Sequence, residues 1–158
     1  MRIAVRPKLT VKKVSSQKEL KQAFRIRIRV FVREQGVPAE IELDTDDKRA
    51  VHFIASIEGR AVGTARLVMR GGNAKIGRMA VLKSHRRKQI GKRLLTQAIA
   101  TAKKHGARKI YLHAQVAVIG FYESAGFRCL GPVFDEAGIA HRKMVLAEHA
   151  EKGNHWAR

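Results

Sequence analysis

The order of apolar runs predicts one α/β domain, a mixed and mostly antiparallel twisted sheet of about six or seven strands flanked by about three or four helices. Three observations carry this expectation. Residues 51–82 hold three alternating apolar runs separated by turn residues, the pattern of an antiparallel meander. Residues 91–130 then read helix, strand, helix, strand, an order that normally sets two strands side by side in parallel. The chain has 158 residues and is 45% hydrophobic, the size of a single domain with a full core.

Taken in order, residues 8–14 alternate as a first strand, and Ser16-Gln17-Lys18-Glu19 has the spacing of a capping box opening a helix. Leu20, Ala23, Phe24, Ile28 and Phe31 fall on one stripe of that helix, which should end before Gly36 and Pro38. Residues 40–47 form an acidic loop holding Glu40, Glu42, Asp44, Asp46 and Asp47, five of the thirteen acids in the chain. Residues 51–58 and 61–69 make a hairpin about Glu58-Gly59-Arg60, and Gly71-Gly72-Asn73 turns into a third strand over 74–82. Helical spacing returns over 91–105 through Leu94, Leu95, Ala98, Ile99 and Ala102, closed by Gly106. A strand over 110–114 leads to a second amphipathic helix over 116–125, closed by Gly126. The last strands are expected at 127–130 and 142–147, with a Gly131-Pro132 turn and the loop 135–138 between them. The domain thus covers 1–147, and 148–158 read as a polar tail that frays.

A formal net charge of +20 asks for an anionic partner, whether nucleic acid, an anionic membrane or a polyphosphate cofactor, and charge alone does not choose among them. The basic residues run from Arg2 to Arg158 instead of forming one tail, and aromatics amount to only 6%. Both facts weigh against nucleic acid as the main ligand. No run approaches the ~18 apolar residues of a membrane span. Arg2, Arg6, Lys8, Lys12 and Lys13 interrupt any signal-peptide core, so no membrane association and a cytoplasmic address are expected. Cys129 is the only cysteine, which rules out an intrachain disulfide and a cysteine-based zinc site and suits a reducing compartment. It reads as a small apolar packing residue, and no metal site is expected.

The densest chemistry lies in residues 78–95, which read as an apolar strand, a basic loop and a helix start. The backbone from Arg87 to Gly91 would expose several N–H groups at the helix N-terminus, where unpaired donors and the positive end of the dipole favour an anion such as a pyrophosphate. Gly91 lets the backbone approach that ligand closely.

These residues resemble the GNAT superfamily of acetyl-CoA-dependent N-acetyltransferases, whose motif is Arg/Gln-x-x-Gly-x-Gly/Ala after an apolar strand. Here it stands as Arg86-Arg87-Lys88-Gln89-Ile90-Gly91. A second block, Gln115 followed by Gly120-Phe121-Tyr122-Glu123-Ser124-Ala125-Gly126-Phe127, is similar to the family's Asn-then-Phe-Tyr-x-x-x-Gly-Phe segment. The segment from Val30 through Gln35-Gly36-Val37-Pro38, with Asp44, Asp47 and His52 after it, resembles the ElaA-like branch of small bacterial acetyltransferases, as does Gly138-Ile139-Ala140-His141-Arg142-Lys143-Met144. Two departures stand out. Gln115 replaces the asparagine of many members, and Gln89 replaces the first motif glycine, which matters only if φ is positive there.

The resemblance implies acetyl-CoA as co-substrate and a small-molecule or protein amine as acceptor, with the amine attacking the thioester directly. It implies that the helix N-terminus about Gln89, Ile90 and Gly91 takes the pyrophosphate and that Arg86, Arg87, Lys88 and Lys92 supply charge. It further implies that Met79, Ala80 and Val81 pair with the pantetheine like a substitute strand and that Gln115 holds the arm. Tyr122 would be the general acid for the departing thiolate. Glu34 leads as the general base, and Asp44, Asp47, His52, His113 and His141 are candidates to line the acceptor cleft, with Glu42 and Asp46 facing solvent. Acids collected there would attract a cationic amine while the opposite face holds anionic CoA. An acyl-homoserine-lactone synthase of the same fold, a basic RNA- or ribosome-binding module and a CoA-binding regulator without turnover are the rival readings. A homodimer through sheet edges or late strands is compatible with the fold.

Overall fold

The computed structural model describes residues 7–147. Seven strands form one sheet in the order β1-β2-β3-β4-β5-β7-β6, with β1 Leu9–Lys13, β2 Val51–Ile57, β3 Arg60–Arg70, β4 Asn73–Val81, β5 Ile110–Gln115, β6 Phe127–Glu136 and β7 Ile139–Leu146. All neighbours are antiparallel except β4 and β5, which are parallel as the helix-strand order requires. The helices are α1 Gln17–Arg27, α2 Ala39–Glu42, α3 Ile90–Lys104 and α4 Ile119–Ser124.

The main core lies beneath α3, whose Leu94, Leu95, Ala98 and Ala102 pack on Phe53, Leu67, Ile76, Ile110 and Leu112 of the sheet. A smaller cluster on the opposite face joins Ile26 and Val30 to Ala80. Ser16 caps α1 by accepting from the Glu19 N–H, and the Glu19 carboxylate reaches Ser15 N–H instead of the cap's own. The first helix does not end as one α-helix. From Ile28 to Glu34 it continues with π-type bonding, including Gln35 N–H to Val30 C=O. Ile26 and Arg27 of α1 and Val30 of the wider turn are buried while Ile28 is half-buried, so the buried face departs from the stripe expected of uniform α spacing.

One further expectation is corrected. Gly131-Pro132 is not a turn between strands: β6 runs through it as an irregularity between Leu130 and Phe134, and the chain reverses at Ala137-Gly138, both with positive φ. The tail expected over 148–158 lies outside the described residues.

Candidate functional site

The site begins as a failure of pairing. β4 and β5 are in register only from Ala74↔Ile110 to Ile76↔Leu112, although β4 runs on to Val81 and β5 to Gln115. The two strands diverge there, leaving residues 77–81 and 113–115 facing one another across an open wedge. On its other side β4 is distorted as well. Arg66 pairs with Gly77 but Thr64 with Ala80, so two steps of β3 face three of β4, and Arg78 takes a φ of 50°. This bulge inverts the strand's facing. Before it, Ala74 and Ile76 point to the α3 core; after it, Ala80 joins the α1 cluster while Met79 and Val81 pack toward α3.

β4 leads through a basic loop into α3. Gln89 is the N-cap residue with a φ of 67°, and it provides no side-chain cap. The first turn holds Lys92 and Arg93 and no acid, opposite to what a helix dipole favours. Ile90, Gly91 and Lys92 therefore present backbone donors with no carboxylate or hydroxyl cap to take them. A Cβ on Gly91 would meet only the Phe121 ring, Cζ at 3.4 Å and Cε1 at 3.7 Å, so packing does not demand glycine there. Free backbone donors beside cations are the local features that favour an anion.

A cleft of about 1240 Å³ runs from this helix end through the wedge to the acidic loop. Of the residues expected to bind the co-substrate, Met79, Ala80, Val81, Arg86, Arg87, Gln89, Ile90, Gly91, Lys92 and Gln115 line it, and Lys88 does not. Arg86 is partly committed: its Nε donates to Val81 C=O at 2.9 Å and its Nη2 bonds both Glu34 oxygens, at 3.1 and 3.0 Å. Gln115 Nε2 donates to Gln35 Oε1 at 2.8 Å across the cleft. Tyr122 stands in the wall, ringed by Phe121 and Phe127, with its hydroxyl 3.9 Å from Met79 Sδ. Burial pushes its phenol up to about 12.

Sequence-level assignments at the acceptor end divide. Asp44, His113 and His141 line the cleft; Glu34, Asp47 and His52 do not. Glu34 is held in its pair with Arg86. Asp47 accepts from Arg27 Nη1 at 2.7 Å and Arg66 Nη1 at 3.0 Å, while its other oxygen takes the Asp44 N–H. Burial works to raise its carboxyl, but these bonds outweigh it and hold the group well below the usual range. His52 is 7% exposed, donates from Nε2 to Asp47 C=O and leaves Nδ1 without a partner; burial lowers its pKa.

The acidic loop is not a reservoir of negative charge. Glu42 is buried rather than solvent-facing, and it receives Arg27 Nε at 3.0 Å and Arg78 Nε at 3.1 Å. Asp44 pairs with Arg66 and Arg78, and Asp46 lines the cleft while paired with Arg49 and Arg70. Counted with Asp47, four acids thus meet five arginines, at 27, 49, 66, 70 and 78, for a balance of +1. The expected division of charge between an acidic acceptor end and a basic cofactor end does not exist. Its physical reason is topological: β3, β4 and α1 each deliver arginines onto the loop from 15 to 36 residues away.

Residues the sequence reading missed include Arg66, Arg78, Lys75 and Glu136, all lining the cleft. Glu136 accepts from His113 Nδ1–H at 3.1 Å and lies 3.6 Å from His141 Nε2; the His113 bond lowers its pKa. His141 Nδ1–H donates to Ile139 C=O, and Phe134 stacks on the His141 ring while meeting His113 edge-on. Among the described residues no group of three or more His, Cys, Asp or Glu could hold a metal, and no helix is long and apolar enough to cross a membrane.

A sheet split between parallel strands beside an uncapped helix end defines, with the relatives below, an acyl-CoA N-acyltransferase. The family model described as an acetyltransferase (GNAT) domain matches residues 11–148, and the chain belongs to that family. It is 37% identical over 131 residues to the uncharacterized N-acetyltransferase YjcF of Bacillus subtilis, covering 82% of this chain and 94% of that one. It is 30% identical over 136 residues to ElaA of Escherichia coli, covering 82% and 88%. The crystal structure of E. coli ElaA superposes with a TM-score of 0.79 at 26% identity, over 87% of this chain and 99% of that one. An acyl-CoA N-acyltransferase from Pseudomonas aeruginosa gives 0.77 at 28%, over 89% and 99%.

Proposed function

We propose that the protein moves an acetyl group from acetyl-CoA to a primary amine by direct attack in a ternary complex. One observation carries the reading: the β4–β5 wedge opens directly onto an uncapped helix N-terminus that has cations in its first turn. The donors of Ile90, Gly91 and Lys92 hold the diphosphate, with charge from Arg87 and Lys92. The edge of β4 at Met79, Ala80 and Val81 pairs with the pantetheine amides, and Gln115 exchanges Gln35 for the arm.

The amine nitrogen adds to the thioester carbonyl carbon, and a β4 N–H stabilises the oxyanion. Collapse breaks the C–S bond, and Tyr122 gives its proton to the departing sulfur. A phenol pushed up to about 12 remains protonated at neutral pH and available to donate. The amine's proton goes to a base. His113 fits this role better than Glu34, because its Nδ1–H is fixed by Glu136 and its Nε2 keeps the ring's lone pair, whereas Glu34 is tied to Arg86. Glu34 instead locks the basic loop to the end of the first helix. Cytoplasmic residence agrees with the use of acetyl-CoA and the lone Cys129.

The test is Tyr122→Phe assayed by free thiol release from acetyl-CoA over an amine panel. A fall in kcat of about 10²-fold or more, with the acetyl-CoA KM within about threefold, is expected for a lost proton donor. An unchanged kcat, or a wild-type protein whose melting temperature ignores acetyl-CoA, would overturn the reading.

A further inference from the structure

The acceptor end of the cleft has a charge left over. Cross-strand pairing sets Lys75 opposite Val68 on β3, so Arg66 and Arg70, two residues to either side of Val68, are its diagonal neighbours on the same face. Diagonal neighbours lie about 7–8 Å apart, within mutual reach of long side chains. Arg66 is satisfied by Asp44 and Asp47, and Arg70 uses only Nη2, on Asp46. Lys75 is half-buried and has no hydrogen-bond or ion-pair partner among the described residues; Glu136, engaged by His113, acts on it only through space.

Three features coincide here. A half-buried ammonium has no bonded counter-ion, two guanidiniums repel it from adjacent positions, and all three line a cleft in which Asp44 and Asp46 are paired with arginines and Glu136 is held by His113. Burial of an unpaired cation is costly, and like charges as neighbours add to the cost. An incoming cation finds only Glu136, already bonded to His113 and attracting Lys75 itself, whereas an incoming anion relieves both penalties. The co-substrate's phosphates do not account for it. Lys75 precedes the end of β4 at Val81 by six residues, roughly 20 Å at ~3.3 Å per residue, on the far side of the bulge from the helix end.

We infer that the acceptor amine carries an anionic group, a carboxylate or a phosphate, and that Lys75 together with Arg70 receives it. The inference rests on the transfer reading above and names the substrate class for that same site. The amine then lies nearer the wedge and the anion deeper along β4, so the two ends of the acceptor are told apart by charge.

The experiment compares matched acceptors: phenylalanine with phenethylamine, lysine with cadaverine, and phosphoethanolamine with ethanolamine, rates being expressed per unprotonated amine. The wild type is expected to prefer the anionic member of at least one pair by about tenfold or more in kcat/KM, the effect of a charge-assisted contact. The carboxylate and phosphate pairs separate the two sources of charge. Lys75→Met should collapse the preference to about threefold or less through KM, and Lys75→Arg should retain most of it. A wild-type preference near unity, a reversed preference, or a ratio unmoved by Lys75→Met overturns the anion subsite while leaving acetyl transfer standing. Acetyl-CoA binding by thermal shift with no amine of either kind acylated overturns both.

Discussion

Gln89 offers the sharpest test of how the helix start is built. Its φ of 67° places a residue bearing a Cβ in the left-handed region, at a position where the family pattern has glycine. The side chain is exposed and makes no capping bond, so its backbone conformation is the main thing a substitution changes. Left-handed geometry costs a non-glycine residue about 1–2 kcal/mol. Glycine removes that strain but loosens the unfolded chain, which offsets about 0.4–1 kcal/mol. Gln89→Gly should therefore stabilise the protein by about 0.8 kcal/mol, the middle of a span from roughly 0 to 1.6. For a domain near this length a kcal/mol moves the midpoint by about 2–4 °C, so calorimetry should show a rise of about 2–3 °C. Gln89→Ala is the control, because alanine keeps the Cβ and the strain and should gain nothing. The backbone donors keep their places in both variants, so CoA affinity should hold within about threefold. Equal midpoints for the glycine and alanine variants would refute the argument.

Arg27 has no exposure, and its guanidinium serves Glu42 and Asp47 together; Arg27→Met keeps much of the volume but strands both acids and should cost about 3–5 kcal/mol, read as a lower urea midpoint, with a loss under about 1 kcal/mol counting against the network. Stability should also fall in two steps on acidification. His52, lowered by burial, contributes stability above its unfolded pKa of about 6.5 and loses it as pH drops below that value. Asp44 and Asp47 are held low: burial pushes both carboxyls up, but Arg66, with Arg27 also on Asp47, more than offsets it, so their contribution fades below about pH 4. Glu42 shifts the opposite way, since burial raises it against the pull of Arg78 and Arg27, and the acid step is the balance of the lowered carboxyls, Glu19 and Glu136 among them, against this one raised. Urea midpoints at pH 7.5, 5.5 and 3 check the shape, and a midpoint constant across all three would contradict it.

Local signals in this chain were legible. Ser16 opens α1, Gly106 closes α3, and Glu58-Gly59 turns the first hairpin, each because a cap or a positive φ depends on residues only a few positions apart. The uncapped helix start was legible for the same reason: a basic loop, no capping acid and Gly91 are contiguous. The π-type stretch after Arg27 and the irregular passage of β6 through Gly131-Pro132 were not, because each changes the backbone bonding step, which residue spacing alone does not record.

The sequence by itself determined the class of fold, the parallel pair and the uncapped, basic start of α3. Only the tertiary structure decided what the acids near residue 44 are for. Read along the chain, they form a negative loop; folded, they are neutralised by arginines from α1, β3 and β4, because strand order brings residues 66, 70 and 78 onto the same surface. The bulge at Arg78 is equally non-local: Glu42 C=O and Asp44 receive its guanidinium, and one extra residue in β4 turns the following side chains to the opposite face. Charge attraction and strand register depend on which distant segments meet, and that information is not carried by spacing within any one of them.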